Sequence, residues 1–484
     1  MELTLFGYIL LPLCVAAILQ PTWQLYLVLL VSAFGAATPL VVGGLGLPPG
    51  VIPGCLFLAY VAVQFLLGAR FPGAPLAWRT LEPFVLTAAY AFFTAIMVPR
   101  LFAGSFTVWP QKLTPPYDIP VPLAPGSGNI TQSFYLLIDS ALLICCALYF
   151  ARARFDVAQL LRIYLGAGYV VVAICGWQFV HKMTGLWYPE AFFYSNPGWV
   201  LYPGQTMGIV PRINGPFSEP AALAFYLSGT IFCCVWLMLR GFRSRMAAIL
   251  LPLALAALLA STSTTGFAVL GTGATGLVVY GLAWAPPRLA SRIFFRAMPV
   301  AVVSIAMALA LSTLSARVEE SIALVSQMSL NKAEGDSFAI RTRSDLDGLG
   351  VLWPTYGLGA GWGSVRASSL VPGMLANLGI YGCALLVWFA VRVTRQVGRA
   401  RRLATDAGQL MGLEGLSAAI LGQITAALVS APAINALDFH VLVGALIAAA
   451  ARVEHLAGLR YAEQRQRAAR RRDDGAANDA GDAA

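Results

Sequence analysis

Charge is what this chain of 484 residues has least of. Asp, Glu, Lys and Arg make up 11% of it, against 58% hydrophobic residues. A soluble domain carries roughly 25% charged residues. The shortage excludes a water-soluble globular enzyme, a coiled coil and a disordered chain. Lysine is nearly missing, with only Lys112, Lys182 and Lys332, and histidine is limited to His181, His440 and His455. No Gly-rich loop ends in Lys-Ser or Lys-Thr, which argues against a nucleotide-driven machine. The eight cysteines all lie in or beside apolar runs without metal-ligand spacing. That pattern predicts neither disulfides nor a metal site. The first apolar stretch lacks a positive leader and a cleavage site, so it is expected to be a retained span.

What the chain has is long apolar runs. They lie near 4–20, 23–42, 50–68, 82–101, 133–151, 163–181, 219–239, 246–260, 267–284, 297–314, 370–391, 412–431 and 438–453. A span needs about 20 mostly apolar residues. The expected fold is therefore an all-α polytopic membrane protein with about 12–13 transmembrane helices. The first two runs are separated only by Gln20-Pro21-Thr22-Trp23, which also suits a tight hairpin. Residues 1–456 form the transmembrane domain. Residues 457–484, basic and then acidic and rich in Ala and Gly, are expected to be a disordered tail.

The net charge of +10 comes from arginines that alternate with the spans. They cluster at Arg70 and Arg79, Arg152 and Arg154, Arg240 to Arg245, Arg288 to Arg296, Arg392 to Arg402, and Arg465 to Arg472. All these clusters fall on one face. The positive-inside rule makes that face, and the C-terminus, cytoplasmic. This alternation accounts for the basic balance without nucleic acid. The opposite face receives the longer segments 102–132, 182–218 and 315–369, so recognition or chemistry is expected there.

Two of those segments carry candidate site residues. Arg212 precedes the turn Gly215-Pro216-Phe217, and Ser218-Glu219-Pro220 have the make-up of a helix start. A guanidinium beside exposed helix amides makes an anion site. The blander reading is a solvated Arg212 and a Glu219 that merely favours the helix dipole. In the late segment, Arg341 and Arg343 precede Pro354-Thr355-Tyr356-Gly357-Leu358-Gly359-Ala360-Gly361-Trp362-Gly363. Paired Arg and Asp in a surface loop also neutralise one another, and loops use glycine freely. On a helix, residues two apart point to different sides, so only one of Arg341 and Arg343 faces a given ligand.

Together these motifs resemble the superfamily of O-antigen ligases and Wzy-type polysaccharide polymerases. The likeness covers roughly residues 200–390. It rests on Arg212 before Gly215-Pro216-Phe217, on Arg341 and Arg343 before the glycine run, and on Leu375-Ala376-Asn377-Leu378-Gly379-Ile380-Tyr381-Gly382 re-entering a span. The Ser/Thr cluster at Ser261–Thr265 resembles the family's polar break between two spans. The ligase branch has His-Asn shortly after the glycine run. Ser368-Ser369 stand there in this chain, which fits a polymerase, or a divergent member, better.

The resemblance implies a GT-C-like fold with a large periplasmic loop late in the chain. It implies glycosyl transfer from a polyprenyl-diphosphate-linked glycan at the periplasmic face of a bacterial inner membrane. Besides that glycan and the bilayer, a chain-length regulator or flippase is an implied partner. No cofactor is expected. Metal-independent transfer is expected from the lack of an outer carboxylate/His cluster with ligand spacing. Arg212, Arg341 and Arg343 would stabilise charge on the departing diphosphate, since Arg offers a planar fork that does not titrate. Glu219 is a candidate base, with His181, His440, Asp438 and the intramembrane Asp139 as others. Trp362, His181 and His440 are candidate substrate contacts. The alternatives are an O-antigen ligase, a lipid-linked oligosaccharide flippase or other carrier, and a scaffolding subunit of an export assembly. No repeat of two halves favours a carrier.

Overall fold

The computed structural model describes residues 1–111, 119–152, 155–198, 206–207, 210–284, 291, 336–431 and 433–481. Seven of its helices are long and apolar enough to cross a membrane. They are α4 (Ala74–Leu101), α5 (Ser127–Phe150), α6 (Val157–Thr184), α8 (Pro220–Leu239), α12 (Leu370–Leu403), α13 (Ala407–Ser430) and α14 (Leu437–Gly481). Helices are the economical answer in such a chain, because backbone polar groups cannot be left unpaired in hydrocarbon. Local chemistry sets several starts. Asp156 caps α6 by accepting from the amides of Ala158 and Gln159, and Asp406 caps α13 through Gln409.

The expectation of about 12–13 full spans is met only in part. The first two runs form α1 (Leu5–Ala16) and α2 (Pro21–Val31), helices of 12 and 11 residues. At 1.5 Å per residue they are about 17–18 Å long, short of a bilayer core. They are broken where Pro21 must begin a new helix. Glu2–Leu3 (β1) pairs with Leu40–Val42 (β2), which pairs with Leu45–Gly46 (β3). The open ends of the α1–α2 hairpin therefore meet in one small sheet. Its tip reaches the far end of the bundle, where an Arg152 Nη donates to Thr22 Oγ1 at 3.4 Å. The third run gives α3 (Val51–Leu66), also short.

The Ser/Thr cluster is the turn between α9 (Arg245–Ala260) and α10 (Thr264–Trp284). Ser261, Thr262 and Ser263 are all buried, and Thr262 has φ +48°, unusual for a β-branched residue. The run 297–314 and residues 315–335 of the late segment lie outside the described residues. In the tail α14 continues to Gly481.

Helix ends gather at two poles. One holds the arginine clusters, the other the connections before α5, α8, α12 and α14. At the arginine pole, Glu414 of α13 is buried and bonds Arg240 at 2.8 Å, Arg401 at 3.2 Å and Trp236 Nε1 at 2.7 Å. This cluster ties α8, α12 and α13 together. The main core lies between α5, α6, α8, α13 and α14, around Leu142, Leu160, Tyr164 and Tyr226.

Candidate functional site

Arg212 follows a two-residue strand pairing, Thr206–Met207 with Val210–Pro211, and is held by its own backbone. Its carbonyl accepts from Lys182 Nζ at 2.6 Å. The next turn is locked by Gln178 of α6. Gln178 Oε1 accepts from the amides of Asn214 (3.0 Å) and Gly215 (2.8 Å), and Nε2 donates to Tyr194 Oη (2.6 Å). Tyr194 Oη donates on to the Gly215 carbonyl at 2.8 Å. Burial pushes the Tyr194 phenol up to about 12, so it remains a neutral donor. Gly215 has φ +55°, and a Cβ there would stand 2.7 Å from Cys175 Sγ. Glycine is required on both counts.

The turn delivers the chain to Glu219, the N-cap of α8, with Pro220 as its first helical residue. Arg212 is half-buried. Its Nε is shielded from water with no hydrogen-bond partner among the described residues. Burial lowers the pKa of Arg212 from its ordinary value, and the positive charge of Arg341 adds to this, while Glu219 works against it. Arg212 and Arg341 thus bring positive charge to the same end of the bundle, which suits a ligand with more than one negative charge.

Arg341 and Arg343 lie on α11 (Asp336–Gly350), both exposed. Arg343 turns to Asp347, at 3.8 Å, whose carboxylate also accepts from Trp109 Nε1 at 2.9 Å. Arg341 is thus the member of the pair that addresses Arg212. Asp345 anchors α11 to the start of α12. It accepts from the amides of Ser368 and Ser369 and from Ser369 Oγ at 2.7 Å.

The glycine run is packed against protein on all sides. Gly357, Gly359, Gly361 and Gly363 all have φ near +80° to +93°. A Cβ on Gly359 would meet Gly379 N at 2.7 Å, and one on Gly363 would meet Gly128 O at 2.7 Å. The run is spliced into a break in α12. At Gly379 the helix has φ +65° and ψ −170°. The Ile380 amide donates to Gly357 O (2.8 Å), and Ala376 O accepts from the Ala360 amide (2.7 Å). Each of these helix groups would otherwise bond the other. Asn377 Oδ1 accepts from the amides of Ser364 and Val365, and Asn129 Nδ2 donates to Trp362 O. Trp362 is buried against Ala91, Ala95 and Leu378, and its Nε1 donates to Gln132 O. The glycines serve close packing that presents α11, and Trp362 stands apart from the arginines.

Beside Glu219 a cavity of about 360 Å³ sinks into the bundle. Its lining includes Tyr135, Asp139, Glu219, Tyr226, Asn435 and Asp438. Asp438 is occupied by Gln423 Nε2 at 2.8 Å. Asp139 faces His440 Nδ1 at 3.8 Å, and that nitrogen lies 2.9 Å from Ala436 O. His181 lies elsewhere, stacked on Tyr188 and 4.0 Å from Glu190. Among the described residues, no three His, Cys, Asp or Glu side chains converge as metal ligands.

Of the residues singled out in the sequence, Arg212 is subject to the charges of Glu219 and Arg341. Glu219, Asp139 and Asp438 line one cavity. Arg343 pairs with Asp347, His181 packs on Tyr188, and Trp362 is buried against Ala91 and Ala95. Tyr194 stood out in the sequence only as one of several outer-face aromatics, and Gln178 not at all, though a glutamine inside an apolar run is a signal. No protein-family model matches this chain, and no curated protein matches it.

Proposed function

We propose that the protein transfers glycan from a polyprenyl-diphosphate-linked donor to an acceptor glycan, joining repeat units into a polysaccharide. The observation that carries this reading is the half-buried, partly unpartnered Arg212 guanidinium set against Arg341 at the start of α8. Breaking a sugar–diphosphate bond throws negative charge onto the diphosphate. Guanidiniums set beside the leaving diphosphate stabilise that charge. A lipid-linked donor keeps its tail in the bilayer, and Arg212 stands where a span meets its loop. By the positive-inside rule the arginine-rich pole is cytoplasmic, which puts this site on the periplasmic side of an inner membrane.

Polymerase is preferred over ligase for a local reason. Ser368 and Ser369, standing where the ligase branch has His-Asn, are engaged by Asp345 in holding α11 to α12. The glycan profile of a deletion strain tests the choice. Accumulated single repeat units mean a polymerase, and long chains that fail to attach mean a ligase.

A further inference from the structure

We propose that Asp139 is the base that takes the proton from the acceptor hydroxyl, that the cavity below Glu219 is the acceptor's seat, and that His440 positions Asp139. This inference rests on the glycosyl-transfer reading and adds the half of the reaction that the arginines leave open.

Three carboxylates line the cavity, and the structure separates their roles. Glu219, the N-cap of α8, is exposed to water. Asp438 is taken by Gln423. Asp139 is 3% exposed, yet among the described residues it accepts no hydrogen bond, and the side-chain nitrogen paired with it is His440 Nδ1 at 3.8 Å. A buried carboxylate without hydrogen bonds is costly and calls for a use. A second observation points the same way. Tyr135, one helical turn before Asp139 on α5, and Asn435 line the same cavity, so a hydroxyl there meets phenol and amide groups as well as the carboxylate.

At about 360 Å³ the cavity falls at the small end of ligand pockets, enough for a sugar residue, and its wall is mostly apolar with Asp139, Glu219 and Asp438 as its charged groups, which suits the apolar face and hydroxyls of a neutral sugar better than an anion.

The step balances as follows. The acceptor hydroxyl gives its proton to an Asp139 carboxylate oxygen. Its oxygen forms the new bond to the donor's anomeric carbon. The bond from that carbon to the diphosphate oxygen breaks, and the electron pair leaves with the diphosphate toward Arg212 and Arg341. The proton held by Asp139 then returns to water through the mouth. His440 Nδ1 stands 3.8 Å from the carboxylate and 2.9 Å from the Ala436 carbonyl and is not part of the cavity wall, so His440 backs Asp139 from the protein side.

The test uses the full-length protein in nanodiscs, with lipid-diphosphate-linked glycan extracted from a strain lacking the gene. The wild type should turn over, with a rate that falls tenfold per pH unit on the acid side as Asp139 is protonated. Asp139→Asn, nearly the same shape, should elute normally and retain bound lipid diphosphate within twofold. Its turnover should fall at least 10²-fold, the scale of a lost general base, and the residual rate should lose the acid limb. Asp139→Glu should keep that limb, and His440→Gln should move it along the pH axis. A wild-type enzyme that transfers while Asp139→Asn keeps its rate, or keeps the acid limb, overturns this inference and leaves the transfer reading standing. A wild type that transfers nothing overturns both.

Discussion

Arg212 and Arg341, from separate connections at the same pole of the bundle, stand close enough for the charge of Arg341 to lower the proton affinity of Arg212. Such a pair is unfavourable alone and favourable around an anion of charge two or more. Arg212→Lys should lose most turnover while the protein still inserts, because an ammonium cannot replace the planar fork. Arg341→Ala should cut turnover by about 10²-fold, as when one donor to a developing charge is removed. Arg343→Ala should change it less than about threefold, because an exposed pair with Asp347 contributes at most about 1 kcal/mol. Rates on extracted lipid-linked glycan rank the three. Equal losses at Arg341 and Arg343 would contradict the assignment.

The splice at Gly379 makes a different demand. Gly379→Ala puts a Cβ into the left-handed region, at a cost of about 1–2 kcal/mol, and presses it on the Gly357–Leu358 backbone. The substitution should lower the unfolding temperature in detergent by several degrees. Turnover should fall as well, because α11 loses its support. Gly104, also at positive φ but with open space around it, is the control; Gly104→Ala should be milder. A Gly379→Ala protein as stable as the control would show that the splice is incidental.

Glu414 tests the other pole. It is 2% exposed and pairs with both Arg240 and Arg401. Glu414→Ala leaves two poorly hydrated arginines facing one another, a loss of roughly 3–5 kcal/mol when a buried pair is broken. Most of the protein should aggregate on extraction, as seen by size exclusion. Glu414→Gln, which keeps hydrogen bonding and loses charge, should fall between the two. A monodisperse Glu414→Ala protein at wild-type yield would refute this.

Orientation is checked by single cysteines in a cysteine-free background. Ser105→Cys, at the loop-rich pole, should react with an impermeant thiol reagent in spheroplasts. Gln466→Cys, at the arginine-rich pole, should react only after lysis. The reverse pattern would invert the protein and move the proposed site into the cytoplasm.

Much of the architecture was legible in the sequence, and the physical reason is plain. Apolar runs and arginine clusters answer to the bilayer, which acts on every span independently. The start of α8 at Glu219 and Pro220 was legible because capping is local. What depended on distant contacts was hidden. Nothing near Gly379 announces that Gly357 will take over its helix bond, and nothing near Glu414 announces Arg240. The arginine clusters predict an orientation, while their role in tying helices together required the partners to be seen. The short α1 and α2 came from the Pro21 break, which was visible but carries no information on depth. Choosing between Arg341 and Arg343 required knowing that Asp347 already serves Trp109.

The most direct measurement of the central claim is transfer by the purified protein alone. Wild-type protein in nanodiscs, given extracted lipid-diphosphate-linked glycan, should yield a ladder of longer lipid-linked glycans. It should release one lipid diphosphate per bond formed, and Arg212→Ala should yield neither. An unchanged glycan length in the wild type, together with movement of the intact lipid-linked glycan across a proteoliposome membrane, would contradict the account and make the protein a carrier.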